Sequence, residues 1–370
     1  MRVVIFGLTV SSSWGNGHAT LWRSLISAML RRGYTVTFFE KDVSYYADTR
    51  DLWALPASGT LRLYREFADI RAEAARALRE ADLALVTSYC PDGRAASALV
   101  LDSTADGVRA FYDMDTPVTL DSVRTGAEVG YLPEHGLGDF DLVLSYTGGR
   151  ALDELKTRLG ARAVAPLYGS VNPDVHHPMP AVEAYRAELS YLGTYAEDRQ
   201  ATLEHLFIQP ARRAPGKRFL IGGAQYPESF PWTENIFFTG HLEPAQHPEF
   251  FCSSRATLNV TRRAMAEYGY CPSGRLFEAA ACGAPLLTDG WEGLGEFFTP
   301  GEEILRVDTA EDVLRTLCLS DAELSRVAEA ARARVLLEHT ADCRVRDLER
   351  IMDGLRSRRV PVGNLAGERI

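Results

Sequence analysis

Residues 273–289, SGRLFEAAACGAPLLTD, carry the strongest structural signal in this chain. They predict a loop, a short helix that carries Glu278, a stop at Gly283 and then a buried strand. Gly274 lets the backbone approach a ligand closely, and the helix N-terminus offers free N–H groups to an anion. Arg275 adds a guanidinium at the same end, and Glu278 can accept two hydrogen bonds from a vicinal diol. A phosphate at the helix tip and a ribose at the glutamate together indicate a nucleotide site.

The bulk properties narrow the class of protein. A chain of 370 residues is too long for one ordinary core, so two α/β domains are expected. The formal net charge of −10 argues against nucleic acid as a partner, because an acidic surface repels phosphates. The 6 cysteines contain no C-x-x-C pair, which argues against a zinc cluster or a disulfide framework. Without a signal peptide or a long apolar run, a cytoplasmic protein with no integral membrane contact is predicted.

Two halves of the chain alternate short β-rich runs with helical stretches, which predicts parallel, doubly wound sheets. The strands predicted in the first half are Val3–Phe6, Thr35–Phe39, Leu83–Thr87, Arg109–Tyr112, Leu142–Leu144 and Ala163–Ala165. Those predicted in the second half are Leu189–Leu192, Phe219–Ile221, Ile236–Phe238, Ala256–Leu258, Leu286–Thr288 and Ile304–Val307. A proline-rich linker, Asn172–Pro180, separates the halves. Two facing Rossmann-like domains with a ligand cleft between them are the expected architecture.

The segment 273–289 resembles the donor-binding element of GT-B glycosyltransferases, in which a glutamate, an alanine-rich helix, a Cys-Gly pair and a hydrophobic strand follow one another. The similarity continues through residues 290–298 (GWEGLGEFF), residues 300–302 and His339-Thr340. It is nearest to the CgeB-like branch, the spore-maturation type, which resembles family 4 transferases. The resemblance covers most of the second half, whereas the first half resembles the family mainly in layout. It implies a GT-B fold and a metal-independent enzyme that moves a sugar from a nucleotide-diphosphate donor.

The domain limits follow from the linker and from this resemblance. Residues 1–176 are expected to bind the acceptor, and residues 181–340 to bind the donor. Residues 341–356 should form a helix that crosses back to the first domain, as the last helix does in GT-B proteins. The tail, residues 357–370, has no clear pattern and is predicted to be mobile.

The acceptor side should include the loop after the first strand, TVSSSWGNGH, residues 9–18. It resembles the glycine-rich first loop of several GT-B families, and its candidate residues are Trp14, Gly15, Asn16 and Gly17. Two interpretations of the role of His18 are possible. Some inverting GT-B enzymes orient a histidine here with an aspartate and use it as a general base; alternatively, His18 only caps its own loop.

Asp113 or Asp115, which follow a predicted strand, could be the partner of His18. Asp113-Met114-Asp115 also fits a D-x-D metal pattern. Such pairs occur often by chance, and GT-B enzymes generally work without a bound metal, so no metal site is predicted. Thr116-Pro117 is expected to form a stiff turn at the strand end.

The donor side should combine positive groups with the ribose-binding Glu278. In family 4 enzymes a lysine six residues after a glycine touches the diphosphate, and Arg199 stands six residues after Gly193 here. A surface position for Arg199 is the alternative. Tyr270 occupies the place where the family usually has a second acidic residue, so it could stack on the sugar or donate a hydrogen bond. The remaining donor-side candidates are Thr194, Ser273, Gly274, Asp289 and Gly290.

The expected donor is a UDP-, dTDP- or GDP-linked sugar, with no further cofactor. The family 4 resemblance favours retention of configuration. Two alternatives remain open at this point, a sugar-nucleotide epimerase of the same fold and a non-catalytic protein that binds sugar nucleotides. The acceptor, the donor sugar and the oligomeric state are not determined by the sequence.

Overall fold

The computed structural model describes residues 1–15 and 17–359. The first half contains one sheet of parallel strands in the order β3-β2-β1-β4-β5-β6-β7. The strands are β1 (Arg2–Gly7), β2 (Thr35–Lys41), β3 (Gly59–Tyr64), β4 (Leu83–Thr87), β5 (Val108–Asp113), β6 (Leu142–Ser145) and β7 (Val164–Pro166). The helices of this half are α1 (Gly17–Arg31), α2 (Ser44–Ala47), α3 (Phe67–Arg79), α4 (Gly93–Ser103), α5 (Thr116–Thr125) and α6 (Arg150–Leu159).

The second half contains a second parallel sheet in the order β10-β9-β8-β11-β12-β13. Its strands are β8 (Ala187–Leu192), β9 (Phe219–Gly222), β10 (Ile236–Phe238), β11 (Ser254–Asn259), β12 (Leu286–Thr288) and β13 (Leu305–Arg306). Its helices are α7 (Glu197–Leu203), α8 (Gln209–Arg213), α9 (His247–Ser253), α10 (Arg263–Tyr268), α11 (Gly274–Ala281), α12 (Leu294–Phe297), α13 (Ala310–Thr316) and α14 (Asp321–Glu338). The last helix is α15 (Ala341–Arg359).

Both sheets are covered by helices on their two faces, which is why their strands are continuous apolar runs. In β1, Val3 and Ile5 belong to one buried cluster, and Val4 and Phe6 belong to the cluster on the opposite face. In each sheet the strand order reverses beside the first strand of that half, β1 or β8. Ligands bind at such reversal points in open α/β sheets, outside the carboxyl ends of the strands.

Helix α15 packs on the first sheet's side of the molecule. Val345, Leu348 and Met352 share a buried cluster with Trp22 of α1. An ion pair between Arg32 and Glu349, with 2.6 Å between Nη2 and Oε2, joins the same two segments. The helix ends at Arg359, so the predicted end at residue 356 was wrong, and residues 360–370 of the predicted tail lie outside the described residues.

The elements that were not predicted from the sequence are strand β3 and helices α2, α4, α5, α8, α10 and α12. Strand β3 is an edge strand in which only Tyr64 is buried, so its apolar pattern is weak. The predicted turn at Thr116-Pro117 was wrong, because α5 begins at Thr116. Proline is tolerated in the first turn of a helix, where the missing N–H has no intrahelical partner to lose.

A loop after β6 fastens the two halves together. The Tyr146 hydroxyl donates to the Pro272 carbonyl at 2.8 Å, and the Gly148 amide donates to the Tyr270 carbonyl at 2.9 Å. The Thr147 hydroxyl donates to the Cys271 sulfur at 3.1 Å. The first half therefore holds the segment that leads directly into α11.

Among residues 1–15 and 17–359, none of the helices has the length and hydrophobicity of a membrane span.

Candidate functional site

A cleft of about 510 Å³ lies between the two sheets. Its lining comes from loops at the carboxyl ends of strands in both halves, with Leu8 after β1, Asp115 after β5, Gly193 after β8 and Val260 after β11. This is the place where a doubly wound fold presents backbone groups and polar side chains to a ligand.

The N-terminus of α11 opens onto this cleft. Ser273 caps the helix, since its hydroxyl accepts a hydrogen bond from the Arg275 amide at 3.3 Å. Ser273, Gly274, Arg275 and Glu278 all line the cleft. A side-chain carbon at Gly274 would lie 3.6 Å from Leu21 of the first half, an ordinary van der Waals distance, so the two halves approach each other at this point. The predicted helix tip therefore faces a cavity.

Glu278 is buried at the floor of the cleft, with a side-chain exposure of 3%. Burial opposes its ionisation, but Arg275 and the nearby histidines overcome that cost and hold the pKa of the carboxyl well below its ordinary value. Arg275 forms an ion pair with Oε2 through Nη1. Among the described residues, Arg275 and the two histidines that approach this carboxylate all contact Oε2. Oε1 is therefore the oxygen that can bind a ligand.

Two histidines that sequence reasoning missed stand beside Glu278. His247 Nδ1 lies 3.3 Å from Oε2, and His176 Nε2 lies 3.8 Å from it. Both side chains are almost completely buried, and burial lowers the pKa of each, that of His176 to about 4. For His176, the signal available in the sequence was the His176-His177 pair inside the proline-rich linker, a segment interpreted only as a connector. His247 begins α9 and has no such neighbour.

Arg199 lies against the carboxyl end of β8, beside Gly193 and Thr194, and all three residues line the cleft. Its Nη1 donates to the Tyr191 hydroxyl at 3.3 Å and to the Thr194 carbonyl at 3.4 Å. Its Nε is buried without a hydrogen-bond partner among the described residues. The guanidinium is thus held at the cleft wall with donor capacity unused.

On the opposite wall, His18 and Asp115 both line the cleft. Burial lowers the pKa of His18, and the negative charge of Asp115 partly offsets this effect. Asp115 accepts a hydrogen bond from the Tyr89 hydroxyl at 2.9 Å, and the Tyr89 ring lies 5.7 Å from the His18 ring. The structure therefore brings the two predicted residues to one side of the cavity.

Asp113, the other candidate partner of His18, does not share this position. Asp113 is fully buried at the end of β5, where its Oδ1 accepts a hydrogen bond from the Asp115 amide at 3.1 Å. Among the described residues, it is not one of those that line the cleft. Burial raises the pKa of its carboxyl to about 7. Strand β5 ends at Asp113, and the chain turns there before α5 begins at Thr116. This turn gives the Asp115 side chain a direction that strand alternation does not set.

Three donor-side predictions also fall outside the described lining of the cleft. The Tyr270 ring packs between Gly149 and Gly293, whose added side-chain carbons would each lie 2.5 Å from it. Asp289 accepts from the Thr261 amide at 2.9 Å. Gly290 packs against Arg306, since a side-chain carbon there would lie 2.4 Å from the guanidinium. These residues hold the fold around the site.

The first loop contributes Gly15 and Gly17 to the cleft lining. Gly15 has a φ of 63°, a conformation that glycine adopts without strain. Trp14 packs edge-on against Tyr45, with 5.3 Å between the ring centroids, and is not in the described lining. Asn16, the other predicted residue, lies outside the described residues.

The comparisons with known proteins fit this geometry. Residues 199–350 match the model of a family described as glycosyl transferase-like. A sucrose-phosphate synthase (tll1590) from Thermosynechococcus elongatus has a TM-score of 0.70 and 14% sequence identity, covering 96% of this chain and 99% of that one. The Anabaena protein Alr3699/HepE, solved with UDP and glucose, has a TM-score of 0.65 and 13% identity, covering 96% and 100%.

An α-glucosyltransferase solved with UDP and a DNA 13-mer has a TM-score of 0.65 and 13% identity, covering 95% of this chain and 99% of that one. No curated protein matches the chain. Over nearly its whole length, the chain therefore has the GT-B fold of glycosyltransferases, with two facing Rossmann-like domains, and residues 199–350 carry the pattern of a glycosyl transferase-like family.

Proposed function

We propose that this protein is a glycosyltransferase that moves a sugar from a nucleotide-diphosphate donor to an acceptor nucleophile. The observation that supports this most is that the N-terminus of α11, Arg199 and Glu278 line one interdomain cleft. They supply an anion site, a cation and a buried ionised carboxylate in one cavity, which is the set of groups that a sugar nucleotide requires.

The donor would bind to the second half. Glu278 accepts hydrogen bonds from the ribose through Oε1, and the α11 amides with Arg199 hold the diphosphate. Arg275 has a double role here, because its Nη1 neutralises Glu278 while its charge stands at the helix tip. Positive groups at this point stabilise the departing diphosphate, on which negative charge develops in the transition state.

The acceptor would bind to the first half, near His18 and Asp115. The family 4 resemblance favours retention, in which the leaving diphosphate takes the acceptor's proton. If the configuration is inverted, His18 is the general base. Its lowered pKa keeps the imidazole neutral near pH 7, as that role requires. Asp113 would act only by holding the Asp115 amide.

Several finer points belong to the same proposal. UDP is the first candidate nucleotide, because the Anabaena protein and the α-glucosyltransferase were solved with UDP or UDP-glucose, and dTDP and GDP follow. We propose metal-independent transfer, a place in the CgeB-like branch and a cytoplasmic location. The domain limits proposed are 1–176 for the acceptor and 181–340 for the donor.

Binding of UDP, dTDP and GDP, measured by thermal shift and calorimetry, tests the donor site. One nucleotide should raise the unfolding temperature, since a ligand that binds only the folded state stabilises it. Glu278→Gln and Arg275→Ala should blunt the shift, whereas Arg326→Ala on the exposed face of α14 should retain it. A full shift in both site variants would refute the assignment.

The fate of a sugar nucleotide, followed by nuclear magnetic resonance, separates the rival functions. Release of the nucleoside diphosphate supports a transferase. Conversion of the sugar without release would indicate an epimerase, and binding with neither outcome would indicate a sensor.

A further inference from the structure

Three potential metal ligands converge behind the cleft. In residues 1–15 and 17–359, His176, His247 and Glu278 form a group whose ligand atoms all lie within 4.8 Å of one another, and all three are buried. His247 Nδ1 is 3.3 Å from Glu278 Oε2, and His176 Nε2 is 3.8 Å from the same oxygen. For a tetrahedral zinc ion, bonds of about 2.0 Å place neighbouring ligand atoms about 3.3 Å apart. One edge of the site already has this length.

The tautomer of His247 follows from its two neighbours. Arg275 Nη1, which can only donate, lies 3.1 Å from Nδ1, and the Leu242 carbonyl, which can only accept, faces Nε2, so the neutral tautomer that satisfies both leaves Nδ1 unprotonated. The proton is then on Nε2, which donates to the Leu242 carbonyl at 3.3 Å. A backbone carbonyl holding one imidazole nitrogen while the other presents its lone pair is the arrangement found around metal-binding histidines.

The third corner is unsatisfied. His176 is 1% exposed, and neither of its ring nitrogens has a hydrogen-bond partner among the described residues. Buried polar groups in folded proteins are almost always paired, so such a side chain points to a missing partner. The Arg275 Nη1 group already provides one N–H to the His247 lone pair and one to Glu278 Oε2, but His176 receives neither.

We propose that His176, His247 and Glu278 form an inhibitory site for a zinc-class divalent cation, and that the cation enters when Arg275 leaves. Two neutral imidazoles and one carboxylate suit zinc. Arg275 has a route out, because its side chain is 28% exposed and lines the cleft. A bound cation would occupy the Glu278 carboxylate and displace Arg275 from the helix tip, so neither group could bind the nucleotide. This competition rests on the proposed function.

Zinc titration of the metal-stripped full-length chain, without nucleotide and against a competing chelator dye, tests the site. His176→Leu should weaken zinc binding by at least about tenfold. His177→Leu, a change of the neighbouring histidine outside the group, should stay within about twofold of wild type. Arg275→Met should bind zinc more tightly than wild type, because it removes the competing guanidinium.

Equal binding by wild type and His176→Leu would overturn the site, and so would unchanged affinity in Arg275→Met. If His176→Leu does not fold, the Arg275→Met comparison still decides the matter. Zinc should also weaken UDP binding to the wild type, and independent binding of the two would overturn the competition. Zinc binding without any nucleotide binding would refute the proposed function while leaving the metal site in place.

Discussion

The guanidinium of Arg262, which follows β11 in the second sheet, lies 3.6 Å from the carboxylate of Asp115, which follows β5 in the first. Its Nε also donates to Asp198 at 3.0 Å, at the start of α7. Both Arg262 and Asp115 line the cleft. Arg262 therefore joins the two domains across the cavity in which the donor is proposed to bind.

Removing this charge should loosen the interdomain contact. Because the pairs are partly exposed, we expect Arg262→Met to lower the free energy of unfolding by about 1 kcal/mol. Nucleotide affinity should fall by about fivefold, because a loss of about 1 kcal/mol in the binding free energy corresponds to that change in the dissociation constant. Urea unfolding and calorimetry measure the two effects. Arg263→Met, which removes an exposed cation one residue further on, is the control, and equal effects of both changes would contradict the prediction.

A buried carboxylate shapes the loop that leads to α1. Glu40 is 1% exposed and accepts four hydrogen bonds, from the Thr9 hydroxyl at 2.5 Å, the Val10 amide at 2.7 Å, and the Ser11 hydroxyl and amide at 2.5 and 3.1 Å. In Glu40→Gln, an amide NH₂ group would face these donors. We expect a loss of about 3 kcal/mol in the free energy of unfolding, measured by urea denaturation.

The matched control for that change is Glu73→Gln, whose carboxylate forms only a partly exposed ion pair with Arg62. It should alter stability by about 0.5 kcal/mol or less. A similar loss in both variants would show that the Glu40 hydrogen bonds do not hold the loop.

Tyr270 is predicted to act through its ring and not through its hydroxyl. Because the ring is enclosed by Gly149 and Gly293 and is outside the described cleft lining, Tyr270→Phe should leave nucleotide-sugar affinity within about twofold of wild type. Gly293→Ala should be strongly destabilising, since its φ is 87° and the new carbon would lie 2.5 Å from the ring. Calorimetry and thermal unfolding measure these outcomes. A large loss of affinity in Tyr270→Phe would place the hydroxyl at the sugar after all.

His339 should make the protein sensitive to acid. Burial, followed by the charge of Arg344, lowers the pKa of His339 to about 3. Its Nδ1 accepts from Arg344 Nη2 at 2.8 Å, and Nε2 lies 3.3 Å from the Phe297 carbonyl. The folded state therefore favours neutral His339. The contribution of this preference to the free energy of unfolding is complete above the unfolded pKa of about 6.5 and is lost as the pH falls from there towards 3.

Between pH 7.5 and pH 5, wild type should therefore lose about 2 kcal/mol more than His339→Gln, which cannot titrate. Urea unfolding at the two pH values measures the difference. His135→Gln, at an exposed position, should retain the wild-type pH dependence. An identical loss in wild type and His339→Gln would contradict the assignment.

Local patterns were sufficient for most of the fold. The strand at Leu83–Thr87 was predicted with its observed limits, and the helix that carries Glu278 was predicted to stop at Gly283, two residues after its last residue, Ala281. Both are short, strongly patterned elements whose neighbours in sequence contain the necessary information. The elements that were missed, such as β3 and α4, have mixed or small side chains, and their identity depends on the sheet against which they pack.

The sequence by itself determined that the chain alternates strands and helices in two halves, and that a helix tip, Arg275 and Glu278 stand together, because these residues lie within one or two helical turns. Only the tertiary structure decided that Asp115 faces the cleft while Asp113 is buried behind it, and that the Tyr270 ring fills a gap between two glycines. It also brought His176 from the linker to Glu278. Contacts of this kind join residues that are far apart in the chain. They depend on how whole sheets and helices pack together, and no local sequence pattern encodes that packing.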